Sequence, residues 1–509
     1  MTLPHAMVKN AGIQPENHPR LPTLSNATVS VDAFSDLIDV PEMDRRVEKL
    51  LASLSDNVVV LRSGEAGEHY LRDWTGAYGC AATVVRPRTP QALAAVVQRF
   101  AAAGIRMVVQ GGMSGLVGGG APCPGEVVVS TELLRAIEDC DILGGTMTVQ
   151  AGVTLQAVQE EAQRHGLFYP VDMGSRGSCV IGGNLATNAG GNRVLQYGMT
   201  RASVLGLEVV LADGSVLSLL GQVIKDNAGY DLKQLFIGSE GTLGFITRVV
   251  LRLQPLPRER VTIALGLHSL PAVLEALVAC RRHFGPGLTA FEVMWRDFFS
   301  YVTGELGIGR DPFDGQAAMV VLIEVSCFDA SAERDLERIT ESLQAIAAQL
   351  ATDHVVIAKS LAQASALWQV RDASGEVARS LGDYLSFDIS IPTRRLQVVL
   401  DRIHAGLRAL APQLRCMTYG HLGDGNLHLL IAGHGALAQQ VEQLVYTEVQ
   451  ACGGSISAEH GIGLAKRDAL QQVMPAPALR LMRRIKSALD PHGLINHGRV
   501  LAPAASDKH

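Results

Sequence analysis

Three stretches composed mostly of glycine and other small residues constrain the fold of this chain more than any other feature. They are Gln110–Gly120, Asp172–Gly191 and Phe236–Gly244. A loop without bulky side chains exposes its backbone N–H groups and lets a ligand approach closely. The first stretch is neither a G-x-G-x-x-G turn nor a G-x-x-x-x-G-K-[ST] loop, and alone it would equally suit a tight loop without a ligand. Together the three stretches predict a long cofactor lying extended through one domain.

The strand and helix pattern divides the 509 residues into two blocks, as expected for a chain too long for one core. The first block runs from Thr83 to Leu253, and Pro255 and Pro257 end it. In the second block, strand–helix pairs repeat from Val261 onward, which predicts a sheet covered on one side by helices. We expect a lead-in over residues 1–45, domains over 46–256 and 257–454, and a helical segment over 455–509.

Charge, hydropathy and cysteine usage exclude several classes of protein. The formal net charge is -6 and Lys and Arg form no long run, so nothing indicates nucleic-acid binding. No apolar run is long enough to span a bilayer, and the N-terminus lacks the pattern of a secretory signal. The eight cysteines are scattered singly, which is typical of buried free thiols in a reducing compartment. We therefore expect a cytoplasmic location, with contact to a membrane only through a partner.

Three imidazoles and a carboxylate fall in two short glycine-rich segments, Gly420–His428 and Ser457–Gly461. His and carboxylate side chains suit Zn²⁺ or Mn²⁺, and glycines allow the backbone to bend so that side chains converge. His460 lies directly beside Glu459, so one imidazole is available as a base. Asp424 is an alternative ligand, although Asp-Gly favours a tight turn. The two segments predict a metal-assisted acid/base site, with a ligand-free interior or surface histidine as the alternative for each imidazole.

Taken together, these segments resemble the vanillyl-alcohol-oxidase-type flavoproteins, also called PCMH-type. Within that superfamily the chain is most similar to the FAD-dependent D-2-hydroxyacid dehydrogenases, which include D-2-hydroxyglutarate and D-lactate dehydrogenases. The likeness spans about Thr83 to the C-terminus and rests on ordered motifs: Gln110–Gly119, Gly177–Asn184, Thr187–Gly191, Lys225–Lys233, Ile237–Gly244, His421–His428 and Ser457–Gly463. It implies an α+β fold, with a PCMH-type FAD-binding domain of two α/β subdomains, an α+β cap domain, and a C-terminal helical segment that returns to the FAD domain.

The resemblance implies FAD as the cofactor. Gln110–Gly119 would bind the pyrophosphate, Gly174–Asn188 would line the flavin and Asn496 would close over it. Some superfamily members attach flavin covalently through a His or Cys in the first loop, where this chain has Met113 and Ser114, so we expect non-covalent FAD. The implied FAD-binding residues are Pro87, Gln110, Gly111, Gly112, Met113, Ser114, Gly115, Val117, Gly118, Asp172, Gly174, Ser175, Gly177, Ser178, Ile181, Gly182, Gly183, Asn188, Gly191, Glu240, Gly241, Ile246 and Asn496.

The resemblance also implies the reaction and its residues. His421, His428 and Glu459 would bind a divalent metal, for which we expect Zn²⁺, with Mn²⁺ as the alternative. Such a metal polarises the hydroxyl and anchors the carboxylate of a D-2-hydroxy acid. His460 would bind the substrate and take the hydroxyl proton while hydride passes to flavin N5. Arg371 matches a substrate-binding arginine, since a guanidinium suits a carboxylate; a surface helix arginine is the alternative.

Three positions depart from the pattern of D-2-hydroxyglutarate dehydrogenases. Gly375, Ser386 and Leu430 stand where that family has Thr, Lys and Asn. Without the cation and the amide, a second substrate carboxylate is harder to bind. We therefore expect a monocarboxylic D-2-hydroxy acid with an apolar side chain. His497 also follows Asn496 where Pro is commoner, which affects only the local loop.

Three alternatives remain open at this stage. They are D-2-hydroxyglutarate dehydrogenation proper, an oxidase that returns electrons to O₂, and a non-catalytic flavoprotein subunit that docks onto a redox partner. For a dehydrogenase we expect an electron-transfer flavoprotein or a quinone as acceptor. A homodimer is considered among the oligomeric states.

Overall fold

The computed structural model describes residues 40–76, 79–80, 82–328 and 331–503. Residues 1–39 of the predicted lead-in lie outside the described residues, and a helix begins at Val40.

The strands of the described chain are β1 (Val58–Leu61), β2 (Val84–Pro87), β3 (Arg106–Gln110), β4 (Glu126–Ser130), β5 (Ile137–Asp141), β6 (Thr146–Gln150), β7 (Leu167–Phe168), β8 (Val204–Val210), β9 (Val216–Leu219), β10 (Phe245–Arg252), β11 (Gln254–Pro255), β12 (Glu259–Leu267), β13 (Leu288–Trp295), β14 (Met319–Cys327), β15 (Val355–Ile357), β16 (Tyr384–Ser390), β17 (Arg415–Gly420) and β18 (Asn426–Ala432). The α-helices are α1 (Val40–Leu51), α2 (Pro90–Ala102), α3 (Leu155–Arg164), α4 (Ile181–Ala186), α5 (Val194–Tyr197), α6 (Lys233–Phe236), α7 (Leu270–Phe284), α8 (Arg296–Ser300), α9 (Ala332–Leu350), α10 (Leu361–Asp372), α11 (Ser374–Leu381), α12 (Leu396–Leu410), α13 (Ala438–Ala451), α14 (Arg467–Val473) and α15 (Ala476–Leu489).

The first sheet has the order β1-β2-β4-β3, with β2, β4 and β3 parallel and β1 antiparallel at one edge. Helix α2 joins β2 to β3 and begins where the Thr89 side chain accepts the N–H of Ala92. The apolar side of this helix, which includes Leu93, Val96 and Phe100, is buried. This strand–helix–strand unit therefore delivers the first glycine-rich loop directly from the end of a buried strand.

The second sheet is antiparallel, with the order β5-β6-β10-β8-β9. Asp213-Gly214, a dipeptide typical of hairpin turns, connects β8 to β9, which pair, and Gly214 has the positive φ of 85° that this turn requires. The C-terminal segment returns to the first sheet, where Ile495 bridges to Met107. These elements match the predicted FAD-binding domain of two α/β subdomains with a returning tail.

The third large sheet has seven antiparallel strands, in the order β15-β12-β14-β13-β17-β18-β16. Helices α7, α9, α12 and α13 pack against one face through a continuous apolar cluster. The expectation of helices on one side only was wrong. Alternate strand residues such as Ala264 and Met294 face the other side, where α8, α10 and α11 bury them with Phe298 and Val370. Glu324, on the same face of β14 as Leu322, pairs there with Arg193, which precedes helix α5.

In the described part of the chain, no helix combines the length and the apolar character that crossing a membrane requires. All eight cysteines are free thiols. Cys179, Cys280 and Cys327 are buried, whereas the other five are partly exposed, so the prediction of buried thiols is wrong for those five.

Candidate active site

An extended cleft brings together all three glycine-rich segments and the C-terminal tail. The residues predicted to bind FAD that line it are Gln110, Gly111, Gly112, Met113, Ser114, Gly115, Val117, Ser175, Gly182, Gly183, Gly191, Glu240, Gly241, Ile246 and Asn496. The remaining predicted residues, Pro87, Gly118, Asp172, Gly174, Gly177, Ser178, Ile181 and Asn188, do not form its wall. Glu459 and His460 line the same cleft, so the segment that is predicted to carry a metal ligand and the base opens directly onto it.

The backbone of the cleft wall is strained at three non-glycine positions, all of them predicted FAD-binding residues. Met113, Glu240 and Asn496 have φ of 51°, 53° and 46°, and Asn188, between the wall residues Thr187 and Ala189, has φ of 50°. Side chains disfavour this left-handed region, and residues held there cluster at functional sites. The strain is supported by hydrogen bonds between distant segments: Asn496 donates to the Glu240 carbonyl and accepts the N–H of Val109, at 2.7 and 2.8 Å.

The cleft fits a long polar cofactor. A Cβ at Gly112 would overlap the carbonyl oxygen of Ser178, so the first and second glycine-rich segments touch backbone to backbone. Two buried polar atoms on the wall, Gln110 Oε1 and Asn184 Nδ2, have no hydrogen-bond partner among the residues that the structure describes. Buried polar atoms are normally satisfied, so both are available to a polar ligand.

The predicted metal ligands meet at one end of the cleft. His421 follows β17, His428 lies on β18 and Glu459 follows α13. Their ligand atoms lie within 4.8 Å of one another, and the two imidazole rings are 5.3 Å apart and nearly perpendicular. Two imidazoles and a carboxylate around an open position are the ligand set of a catalytic Zn²⁺ site. A second set, Asp388, His428 and His460, shares His428 with the first.

Electrostatics favours a cation among the first set. Burial opposes the charge on His421, but the carboxylates of Glu292 and Glu459 outweigh it and raise the pKa of His421 to about 9. Burial, together with Asp388 and other carboxylates, raises the pKa of Glu459 to about 7 although His421 opposes the shift. The raised pKa of His421 reports the negative charge around it, and the same carboxylates add to the effect of burial on Glu459, so a divalent cation here would find compensating charge.

Asp388 supports both sets, although sequence reasoning did not single it out. It is fully buried on β16 directly opposite His428. Its Oδ2 accepts the backbone N–H groups of Ala458, Glu459 and His460 at 3.1, 2.8 and 2.9 Å. Its Oδ1 lies 3.7 Å from Nδ1 of His428. Because Oδ2 already accepts three backbone N–H groups, we assign Asp388 to holding the loop that carries Glu459 and His460, while Oδ1, which has no hydrogen-bond partner among the described residues, places negative charge beside His428.

His460 has the properties of a base. Its ring stacks on His428 with centroids 5.8 Å apart, and its side chain is one-fifth exposed toward the cleft. Burial lowers its pKa although Asp388 opposes the shift, so the neutral form is favoured. A neutral imidazole can accept a proton.

Arg371 lies inside the protein, which removes the alternative of a surface helix arginine. It is 5% exposed on α10, and its guanidinium lies over the Tyr419 ring at 5.2 Å. Its Nε donates to Glu292 at 2.7 Å, and the other oxygen of Glu292 lies 2.8 Å from Nδ1 of His421. Glu292, a second residue missed in the sequence, therefore contacts both a predicted metal ligand and the predicted substrate arginine.

Four further positions singled out in the sequence lie near the histidines or in the cap sheet and its helices. Asp424 forms the predicted turn, accepting the N–H of Asn426 at 3.1 Å. Leu430 is buried against Tyr419 and stands directly opposite Ser386, which is exposed. A Cβ on Gly375 would lie 3.6 Å from the Trp74 ring, so Trp74 covers that position.

Comparison with known proteins defines the class first. Residues 81–220 match the family described as FAD binding domain, and residues 256–500 match FAD linked oxidases, C-terminal domain. In the solved structures, p-cresol methylhydroxylase with substrate bound has a TM-score of 0.68 at 15% identity, covering 92% of this chain and 98% of that one. Alkyldihydroxyacetonephosphate synthase has a TM-score of 0.67 at 16% identity, covering 93% and 88%. The predicted PCMH-type α+β fold is confirmed, and the chain is an FAD-linked oxidoreductase.

Sequence relatives then define the family. The chain is 38% identical to mitochondrial D-2-hydroxyglutarate dehydrogenase of Bos taurus over 431 residues, which cover 83% of this chain and 77% of that protein. It is 34% identical to D-2-hydroxyglutarate dehydrogenase of Stutzerimonas stutzeri over 461 residues, covering 89% and 98%. The chain belongs to the D-2-hydroxyglutarate dehydrogenase family of FAD-dependent D-2-hydroxyacid dehydrogenases.

Proposed function

We propose that this protein oxidises a D-2-hydroxy acid to the 2-oxo acid with non-covalent FAD and a divalent metal. The observation that carries the proposal is the position of His460, which lines the flavin cleft beside the His421, His428 and Glu459 cluster. Oxidation of an alcohol requires a proton acceptor and a hydride acceptor close to the same carbon. The proposed base and cation site lie together at the cleft that would hold the flavin.

Different residues of the chain would carry out proton transfer and substrate binding. When bound, FAD accepts the hydride that leaves the α-carbon, and a divalent metal makes the substrate hydroxyl more acidic. Neutral His460 accepts the hydroxyl proton, and Arg371, whose Nε donates to Glu292, binds the α-carboxylate through its remaining guanidinium N–H groups. The α-C–H and O–H bonds break and a C=O double bond forms. The hydride carries away two electrons, and the hydroxyl proton goes to His460.

We further propose that the substrate has one carboxylate and an apolar side chain. Leu430 and Tyr419 form an apolar surface next to His428, and Trp74 covers Gly375. Ser386 offers no cation opposite Leu430. An apolar side chain buried here gains about 0.8 kcal/mol per CH₂, whereas a second carboxylate would lose its hydration without a partner.

The second candidate is D-2-hydroxyglutarate itself, which the names of the relatives favour. Arg176, with its side chain 46% exposed, lines a neighbouring polar cavity and offers a cation, although it is already paired with Asp172. Relative rates with D-2-hydroxybutyrate and D-2-hydroxyglutarate decide between the two candidates, because only the second substrate carries the extra charge.

The test is anaerobic bleaching of the flavin by a panel of D- and L-2-hydroxy acids. Protein loaded with Zn²⁺ or Mn²⁺ is compared with protein stripped by chelator. A colourless protein without flavin would remove the proposal. Bleaching without turnover would instead favour a docking subunit.

The acceptor, location and assembly state stay proposals. We propose an electron-transfer flavoprotein or a quinone as acceptor, a cytoplasmic location and a homodimer. Peroxide formed in stoichiometric amounts under air would favour an oxidase over a dehydrogenase. Cell fractionation and light scattering test the location and the homodimer.

A further inference from the structure

We propose that Glu292 is a positioning residue that allows a guanidinium and a divalent cation to act side by side on one substrate carboxylate. It thereby links metal binding at His421 to substrate binding at Arg371. This inference deepens the proposed function and rests on it.

The geometry places Glu292 between the two groups. The two oxygens of its carboxylate are used separately, one toward Nδ1 of His421 at 2.8 Å and one toward Nε of Arg371 at 2.7 Å. The carboxylate is 1% exposed, so water does not compete for either contact. A proton on Nδ1 of His421 directed at Glu292 leaves the lone pair of Nε2 for a metal.

Charge explains why the carboxylate is needed. The guanidinium of Arg371 approaches the His421 ring to 3.3 Å at Nε2, the nitrogen that also faces Glu459. A cation bound there would lie next to a fixed positive charge in a buried site, where charge repulsion is weakly screened. Glu292 faces both positive groups and offsets that repulsion. Asp372 also acts on Arg371 through its charge, and Glu292 acts on Asp372 in turn, but the Asp372 residue is exposed, so solvent screens these interactions more than those of Glu292.

Glu292 also couples the orientation of the His421 ring to that of the Arg371 guanidinium. With its carboxylate fixed by β13 in the middle of the seven-stranded sheet, the His421 ring and the guanidinium cannot move independently. Metal bound at His421 therefore stabilises the orientation in which Arg371 receives a carboxylate, and the reverse holds by linkage.

The experiment measures metal binding rather than turnover. Zn²⁺ is titrated calorimetrically into chelator-stripped, FAD-loaded protein. We expect Glu292→Gln to weaken Zn²⁺ binding by about 10- to 100-fold, the range for a partner that orients a metal-ligating histidine. The double variant Glu292→Gln with Arg371→Met should bind Zn²⁺ more tightly than Glu292→Gln alone, because the uncompensated guanidinium is removed.

A matched control is Glu324→Gln, which removes a buried carboxylate from the adjacent strand β14. Glu324 pairs with Arg193 rather than with a metal ligand, so Zn²⁺ affinity should match that of the parent. FAD absorbance and circular dichroism report folding. If Glu292→Gln does not fold, Glu292→Asp keeps the charge with a shorter reach and should give an intermediate loss.

Unchanged Zn²⁺ affinity in Glu292→Gln overturns the inference. A double variant that binds as weakly as the single one also overturns it, since a merely structural role gives no rescue. Absence of Zn²⁺ binding in the parent removes the metal site and this inference together. Flavin bleaching by a D-2-hydroxy acid would then still test the oxidation separately.

Discussion

The carboxylate of Asp388 accepts the backbone N–H of His460 at 2.9 Å, although the two residues lie 72 positions apart in the chain. The same oxygen also accepts the N–H groups of Ala458 and Glu459. One buried side chain thus fixes the loop that carries both the proposed base and a proposed metal ligand.

Asp388→Asn should lower kcat by about 10- to 100-fold, because the amide faces three N–H donors with one acceptor and cannot carry the charge that orients His428. KM should change less, since Arg371 is untouched. Steady-state kinetics with metal in excess provides the measurement. A variant with normal kcat and normal metal content would contradict the role assigned to Asp388.

His460→Ala should lower kcat/KM by about 100- to 10,000-fold, the usual contribution of a general base, while FAD and metal remain bound. His165→Gln serves as control, because His165 pairs only with Glu161 on helix α3. Stopped-flow flavin reduction separates this step from reoxidation. Flavin reduction as fast as in the parent would rule out His460 as the base.

Gly190→Ala should weaken metal binding, because its Cβ would overlap Oε1 of Glu459 and displace that carboxylate. Gly64→Ala is the control: apart from its chain neighbours, no heavy atom of the described residues lies within 4 Å of a Cβ there. Zn²⁺ affinity of the two variants, measured side by side, gives the comparison. Equal affinities would show that Glu459 is not a ligand.

Adding the side chains found in the family, Gly375→Thr, Ser386→Lys and Leu430→Asn, should shift preference toward D-2-hydroxyglutarate. A buried carboxylate that gains a cation and an amide is stabilised by at least about 1.4 kcal/mol, or tenfold in relative kcat/KM. Ser386→Thr is the uncharged control. A triple variant with the parent's preference would mean that these positions do not contact the substrate side chain.

Acid should weaken the contact between the FAD and cap domains. Burial disfavours the charges of Asp172 and Glu324, but Arg193, which bridges them, together with Arg176 at Asp172 and Arg260 at Glu324, lowers the pKa of both. A lowered carboxylate pKa adds stability that is present above the ordinary values of 3.8 and 4.5 and is lost as pH falls through the lower folded values. Tm should therefore fall steeply below about pH 4.5.

Glu324→Gln tests this acid sensitivity. It should reduce the free energy of unfolding at neutral pH by about 3 kcal/mol, since it leaves part of the Arg193 charge unpaired. Its Tm should depend less on pH in the acid range than that of the parent. Parallel Tm curves would show that the ion pair does not carry the dependence.

Much of this architecture follows from local patterns in the sequence. The stripe of α2, the Asp213-Gly214 hairpin and the strand–helix pairs of the cap sheet each depend on neighbouring residues, and the structure has them. The site segments stood out because glycine and histidine were concentrated there.

Glu292 and Asp388 could not be found in the same way. Each is a single carboxylate within an apolar strand, and its role depends on partners 129 and 72 residues away. Strand β13, which carries Glu292, has no alternation because both faces of the sheet are buried. The one available signal was that a lone acidic residue in an apolar strand is rarely buried without a partner.

The most direct test is anaerobic flavin bleaching by D-2-hydroxybutyrate, with L-2-hydroxybutyrate and chelator-stripped protein as controls. The account predicts rapid bleaching with the D enantiomer in metal-loaded protein, little with the L enantiomer, and strong loss of the rate on stripping that Zn²⁺ or Mn²⁺ restores. A flavin that stays oxidised with every D-2-hydroxy acid, or that bleaches equally fast without metal, would contradict it.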